Sequence, residues 1–475
     1  MGIAFTLDTP YKVAPYGIDS VISLIDDILM EKMRKMYCEK FDLIYQEISE
    51  NMEDFRARRI TSYLNLINTL AKKKFEALKA AGLEKGSELR KYLEMLPSGS
   101  EIRERVLQAF ESSHSKEDLD NQLAKLLQMG SVDVNMMTKV DKDNYRGDEK
   151  LPVEYNDAHA ALRGFAKSEL NASLILSAGM NPRLYGYLEH FDVFYPDPTG
   201  HVAKKIVLKV SDYRSAFIQG KFLANKGLWV SEYRIESGLN CGGHAFATDG
   251  YLLGPILAEF RDKREELSQT LHEIWAKALN EKGRVVPEQA LPIVLSAQGG
   301  VGTAEEHNFL LQHYQVDSVG WGTPFLLVPE ATTVDELTLE KLVAAKEDDL
   351  YTSGISPLGV PFNTLRGNTK DQEKYALIAK NRPGSSCPKK YVALNSEFTE
   401  RNICTASRQY QDLKIKELNK KELSTPVYER EYARITEKSC ICVGLGTAAL
   451  LVNDLSTKRE GKGVSICPGP NLAYF

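Results

Sequence analysis

From residue 130 onward, short apolar runs alternate with longer amphipathic stretches. The runs are "SVDVNMMTKV", "ASLILSAG" at 172–179, "KKIVLKVSD" at 204–212, "GLWVSEYRIES", "LPIVLSAQGG" at 291–300 and "VDSVGWGTPF" at 316–325. Runs of this length, bounded by Gly, Pro or Asp, read as strands. Helical spacing fills most of the gaps, most clearly in "LGPILAEFRDKREELSQTLHEIWAKALNEKG" at 253–283. Strands alternating with helices predict a parallel sheet with right-handed crossovers. Ile3 to Leu7 reads as a first strand, which brings the count to seven. From Ile18 to about Met129 the spacing turns helical: Ile60, Tyr63, Leu64, Ile67 and Leu70 recur at three- and four-residue steps, the stripe of an amphipathic helix, and "LPSGSE" at 96–101 punctuates the region. An eighth strand is expected inside this helical third. The pattern favours a closed (β/α)8 TIM barrel, whose sites lie at the C-terminal strand ends.

Composition narrows the class. Hydrophobic residues make up 43% and charged residues 26%, ordinary for a globular chain of 475 residues. The net charge of -5 offers no electrostatic footprint for nucleic acid. No apolar run reaches the roughly 18 residues of a membrane span, and "MGIAFTLDTPYK" lacks a basic start and long apolar core. A cytoplasmic protein that binds neither nucleic acid nor membrane is expected. Five of the seven cysteines (Cys387, Cys404, Cys440, Cys442 and Cys467) fall in the last quarter. In a cytoplasmic protein such clustering points to metal, redox chemistry or simple burial.

Three strand ends share one feature. One runs into Gly242-Gly243-His244, the next ends in Gly299-Gly300, and the last in Gly322-Thr323. Glycine lets backbone N–H groups approach a ligand, and two such turns on neighbouring strands can form an anion cradle. Thr303 and Glu306 have capping-box spacing, which places a helix N-terminus, with its aligned dipoles, beside the glycines. An imidazole with an ordinary pKa near 6.5 suits proton transfer at neutral pH, so His244 is a candidate acid/base; the plainer reading is a structural histidine in a tight turn. Cys241 reads as a reactive thiol or, more simply, as a small buried residue. Lys209 lies within an otherwise apolar strand and either balances a ligand's negative charge or reaches solvent between helices. Glu232, Arg234 and Glu236 alternate on one strand face, where a satisfied ion pair is the modest reading.

The motifs resemble, in chain order, the flavin-dependent nitronate monooxygenases (2-nitropropane dioxygenase-like) and the related flavin enoyl reductases. "VDVNMMTK" is similar to their strand carrying Val-Asn, and "ASLILSAGMNP" and "KIVLKVSD" fall where their next two strands do. "GLNCGGH" has their Gly-x-x-x-Gly-Gly-His spacing, "PIVLSAQGGVGTAEEHNFLLQHYQVDSVGWGTPFLLVPEA" resembles their phosphate-binding strand pair, and "DDLYTSGISPLGVPFNTLRGN" is similar to the segment that follows. The resemblance implies an FMN-binding barrel over 1–20 and 130–370, a helical insertion over 21–129 and a cysteine-containing extension over 371–475. It implies that Asn135 contacts the flavin and Gly243 lies near its ring. It further implies that Gly299, Gly300, Gly322 and Thr323 hold the phosphate and that His244 is the acid/base. Lys209 is then a cation for the reduced flavin. Ser237, Gly320 and Pro324 depart from the family pattern. The expected activity is an FMN-dependent oxidoreductase acting on a small or acyl-chain substrate, with a redox partner. A non-redox lyase or isomerase acting on a phosphorylated metabolite is the alternative, as is a binding protein on an inactive barrel.

Beyond residue 370 the chain leaves the family pattern. Cys387, Cys404, Cys440 and Cys442 are candidate ligands for an iron–sulfur cluster, with tetrahedral zinc or buried free thiols as the other readings. A cluster would suggest an electron-transferring flavoprotein. If the "KSCICVGLG" segment is a strand, Cys440 and Cys442 point to opposite faces. Gly444 and Gly446 are expected to pack the start of a helix against a neighbour.

Overall fold

The structure is a computed structural model that describes residues 3–96, 99–177, 179–236, 253–299 and 301–467. Seven parallel strands form its central sheet in sequence order: β1 (Ser20–Ser23), β2 (Val132–Met136), β3 (Ala172–Leu176), β4 (Lys204–Val210), β5 (Val230–Glu236), β6 (Val294–Gln298) and β7 (Ser318–Gly320). The six apolar runs after residue 130 are β2 to β7. Val132, Val134 and Met136, Leu174 and Leu176, Ile206, Leu208 and Val210, Tyr233 and Ile235, and Leu295 and Ala297 all enter one core with the helices. Alternation along a strand has a period of two, so their neighbours point to the opposite face of the sheet.

The first strand is not where the pattern put it. Residues 3–7 are buried but form turns, because their polar groups find partners outside any ladder. Ala4 N–H donates to Leu445 O (2.9 Å), Leu7 N–H to Ala4 O (3.2 Å) and Thr333 N–H to Phe5 O (2.9 Å). The Tyr63 hydroxyl donates to Leu7 O (3.0 Å). The outer strand is instead Ser20–Ser23, read above as the start of the helical region. Four residues are too few to separate a two-residue period from a helical one.

Among the described residues no ladder joins β1 to β7, so the expected closed barrel is seen as an open, mostly parallel α/β sheet. Residues 3–13 touch chain from both edges. Helix Thr9–Val13 packs on β1, while Thr9 Oγ1 donates to Ala331 O (2.6 Å) and Thr333 Oγ1 donates to Asp8 Oδ1 (2.6 Å), beyond β7.

The helical third carries helices Asp27–Lys40, Phe55–Ala80, Glu88–Met95, Glu101–Ser112 and Lys116–Leu126. The stripe Ile60, Tyr63, Leu64, Ile67 and Leu70 is buried as its spacing requires. Helix Phe55–Ala80 is tied to the C-terminal side of the sheet by charge. Asp27 pairs with Arg56 (3.3 Å) and Arg59 (3.0 Å), and Arg56 also reaches Asp157 (3.2 Å). Burial opposes the Arg56 charge, but Asp157 and Asp27 outweigh it and hold its pKa above the ordinary value.

The last quarter adds a hairpin, β8 (Leu350–Ser353) with β9 (Phe362–Leu365), and helices Thr369–Ala379, Arg408–Leu418, Thr425–Glu437 and Ile441–Val452. One carboxylate binds it to the sheet. Asp26, just past β1, caps helix Asp27–Lys40 by accepting from Leu29 N–H (2.9 Å), accepts from the Tyr391 hydroxyl (2.9 Å) and pairs with Lys389. Asp26 and Lys389 each expose 1% of their side chains. Gly446 lies against Asp26, and a Cβ at Gly444 would fall 2.3 Å from Ser465 Oγ, so these glycines do pack a helix start against its neighbours. Among the described residues no single helix is long and apolar enough to cross a membrane.

Two outcomes follow for stability. Removing one partner of a buried ion pair strands the other charge. Asp26→Ala is therefore expected to lower unfolding stability by about 3–5 kcal/mol in denaturant titrations. Asp26→Asn, which keeps the cap acceptor, should cost less. Lys204 supplies the second. Its ammonium is buried, bonded only to Ser168 O (3.0 Å), Ser168 Oγ (3.3 Å) and Leu170 O (2.5 Å), and sits 4.5 Å from the Phe165 ring centroid. Burial pulls its pKa down to about 8. Between that value and the ordinary lysine value the unfolded chain binds the proton and the folded chain does not, so stability rises with pH across this window. Relative to Lys204→Met, the native chain should gain roughly 3 kcal/mol on going from below the folded pKa to above the unfolded one.

Candidate functional site at the strand ends

The face of the sheet turned away from the core helices is largely polar, with Ile175 on β3 and Val207 on β4 buried among its polar positions. It carries Asp133 and Asn135 on β2, Ser173 on β3, Lys209 on β4, Glu232, Arg234 and Glu236 on β5, and Ser296 and Gln298 on β6. The assignment rests on Tyr233, between Glu232 and Arg234, which packs on Phe260 and fits against the helix Tyr213–Ala224 only because residue 220 is glycine. A Cβ at Gly220 would lie 2.2 Å from the Tyr233 hydroxyl oxygen.

The charges of β5 on this face are paired. Arg234 Nε donates to Glu232 Oε1 (2.8 Å), which also accepts from Ser296 Oγ (2.5 Å). The expected ion pair on the β5 face is present. Asp133 accepts from Ser173 N–H (2.7 Å) and Ser131 Oγ (3.0 Å), and burial still raises its pKa.

Several predicted site residues meet at the C-terminal rim of this face. Asn135 is next to last in β2 and donates to Ser23 Oγ at the end of β1 (3.5 Å). Lys209 is next to last in β4, only 8% exposed, and lies 3.4 Å from Glu236 Oε1 at the end of β5. It therefore faces the polar side and does not run out between helices. Gly299 follows β6 with φ +88°, and its N–H donates to Gly320 O, at the end of β7 (3.4 Å). The two glycine turns are thus neighbours. An added Cβ at Gly299 would meet nothing within 4 Å, so open space adjoins its backbone. Gly322 and Thr323 follow β7, with Thr323 starting the 3-10 turn Thr323–Leu327. His244, Gly243, Cys241, Ser237 and Gly300 lie outside the described residues.

The capping box is present, with one consequence for the predicted anion site. Glu306 accepts from the N–H groups of Gly302 (2.8 Å) and Thr303 (3.0 Å), and Glu306 N–H donates to Thr303 Oγ1 (3.2 Å). Those backbone bonds lower the Glu306 pKa. The carboxylate thus takes the two amides just before helix Ala304–His313, between the Gly299 turn and the helix start.

Sequence reasoning missed Gln298 and Glu236 as rim residues. Among the described residues Gln298 Oε1, buried beside Gly320, has no hydrogen-bond partner. Their signal was the alternation itself: each is the last polar position of a strand whose intervening residues are apolar.

The four candidate cysteines, from three separate segments, come together. Cys387, Cys404, Cys440 and Cys442 are each at most 5% exposed. The Cys440 sulfur takes hydrogen bonds from Cys387, Cys442 and Ser385, and Cys387 also bonds Cys404. These contacts pull the Cys440 pKa well below the thiol range and push those of Cys387 and Cys442 well above it. Cys440 and Cys442 start the helix Ile441–Val452, so the strand geometry considered for them does not apply. Among the described residues, no group of three or more His, Cys, Asp or Glu side chains is set to hold a metal ion.

Two clefts lie away from the rim. One of about 770 Å³ is bordered by Cys387 and Cys404 together with Arg382, Lys390 and Arg408. The other, of about 1060 Å³, is lined by Arg34, Asp54, Arg163 and Tyr187 among others, and by none of the predicted site residues.

No family model and no curated protein matches the chain. Among solved structures it is similar to the enoyl reductase domain of MlnA from the macrolactin biosynthesis cluster of Bacillus amyloliquefaciens, at 16% identity over 80% of each chain, with a TM-score of 0.37.

Proposed function

We propose that the chain is an FMN-dependent oxidoreductase whose sheet is the larger part of an eight-stranded barrel, closed on the side where residues 3–13 meet β1 and the chain beyond β7. The observation that carries this reading is the adjacency of the two glycine turns, where Gly299 N–H reaches Gly320 O and open space adjoins Gly299. The sequence resemblance to nitronate monooxygenases and flavin enoyl reductases supports the same assignment.

Gly300, Gly322 and Thr323 bind the phosphate through main-chain amides, while Gly299, whose own N–H goes to Gly320 O, leaves room for the phosphate to approach; backbone binding tolerates the loss of family side chains at Gly320 and Pro324. Asn135 and Gly243 orient the ring. Lys209, already beside Glu236, lends positive charge to the rim. Bound FMN supplies the hydride and electron chemistry, while the protein contributes orientation and electrostatics. His244 holds or delivers, at an imidazole nitrogen, the proton that accompanies redox change in a small or acyl-chain substrate.

Purified protein is expected to be yellow, and to regain flavin absorbance on titration with FMN if stripped. Gly299→Val places a side chain on a backbone at positive φ and in the space beside the cradle, so FMN affinity should fall at least about tenfold while the thermal transition survives. Protein that stays colourless with excess FMN, yet binds a sugar phosphate, would point to the lyase or isomerase reading. His244→Ala should keep FMN but slow substrate-dependent flavin reduction or reoxidation by roughly 10²–10⁴-fold. Unchanged turnover would remove His244 from the chemistry.

A further inference from the structure

We propose that Cys387, Cys404, Cys440 and Cys442 ligate an iron–sulfur cluster in the C-terminal extension. The inference stands on these residues and does not depend on flavin at the strand rim.

The first observation is convergence. The four thiols come from the loop after helix Thr369–Ala379, from the loop before helix Arg408–Leu418 and from the start of helix Ile441–Val452, yet all are buried and linked by sulfur contacts in the order Cys404, Cys387, Cys440, Cys442. Ordinary core packing has no need of four thiols linked in a chain of sulfur contacts, and thiolates are the usual ligands of iron–sulfur clusters.

The second is the backbone that presents them. Cys387 sits at φ +48° and Lys390 at φ +56°, conformations that side chains other than glycine adopt at a cost. Cys387 N–H donates to Ser385 Oγ (3.2 Å), and a parallel bridge joins Ser385 to Ser407, whose N–H donates to Cys404 O (2.8 Å). Gly384 lets this loop approach the Arg408 backbone, since a Cβ there would fall 2.6 Å from Arg408 Cα. The loop is thus braced so that Cys387 and Cys404 face the same place.

Charge and space complete the case. Lys370 lies on the Cys440 side and Lys389 on the Cys442 side, both buried and each paired with a carboxylate, Glu373 and Asp26. The cleft of about 770 Å³ opens on Cys387 and Cys404.

The test uses the full chain purified without oxygen, with iron, acid-labile sulfide and zinc measured per chain. Extracted FMN is measured separately. The expected result is iron and sulfide together, with an electron paramagnetic resonance signal that appears or changes on dithionite reduction. Single substitutions Cys387→Ser, Cys404→Ser, Cys440→Ser and Cys442→Ser should each lose iron and sulfide, whereas Cys38→Ser, in helix Asp27–Lys40, should retain both. Circular dichroism identifies any variant that fails to fold, and for such a variant the native chain's own content decides. A native chain that holds neither iron nor sulfide, as purified and after reconstitution with ferrous iron and sulfide, overturns the proposal. Stoichiometric zinc in place of iron overturns it as well.

Discussion

The buried contact between Asp26 and Lys389 joins the parts of this molecule that sequence alone leaves separate. Asp26 ends the turn after β1, caps the following helix and receives the Tyr391 hydroxyl, so a single carboxylate serves the sheet, a helix and the C-terminal extension. Taking a carboxylate and an ammonium out of water is costly, and the cost is offset only where geometry and further hydrogen bonds are good. Here the cap and the tyrosine supply them. Lys389 is two residues beyond Cys387, so the same contact positions the cysteine loop against the C-terminal side of the sheet.

A second constraint is the sorting of each strand into two faces. Apolar residues on one face meet the helices, and the polar residues between them must then find partners on the other. They do so in pairs, Glu232 with Arg234 and Lys209 with Glu236. The pairing leaves a rim that is polar but nearly balanced in charge, next to two adjoining turns of bare backbone. Such a rim suits an anionic ligand bound mainly through main-chain amides, because side-chain charge is already committed to its neighbours. Glu306 reinforces the point. It takes the amides of Gly302 and Thr303, so these two are not offered to a ligand.

Six of the seven strands of the main sheet, the long insertion helix and the capping box were legible because each is a local pattern: a period of two, a period near 3.6, or a side chain bonding three residues away. Ile3–Leu7 was misread for the converse reason. Its apolar composition reflects burial, but its backbone N–H and C=O groups are used by Leu445, Thr333 and Tyr63, distant in sequence and invisible to a local reading. Ser20–Ser23 was missed because a four-residue strand beside a helix start has too few positions to declare its period.

The sequence by itself determined the alternation of strands and helices, the placement of glycines at strand ends, and the residue types available for binding, since each of these is written within a few neighbouring positions. Only the tertiary structure decided which strand face meets the helices, that the Gly299 turn touches the end of β7 at Gly320, that Gln298 and Glu236 join the rim, and that four cysteines spread over 56 positions share one buried site. Those outcomes depend on contacts between segments far apart in the chain, where packing and the pairing of buried charge select one arrangement.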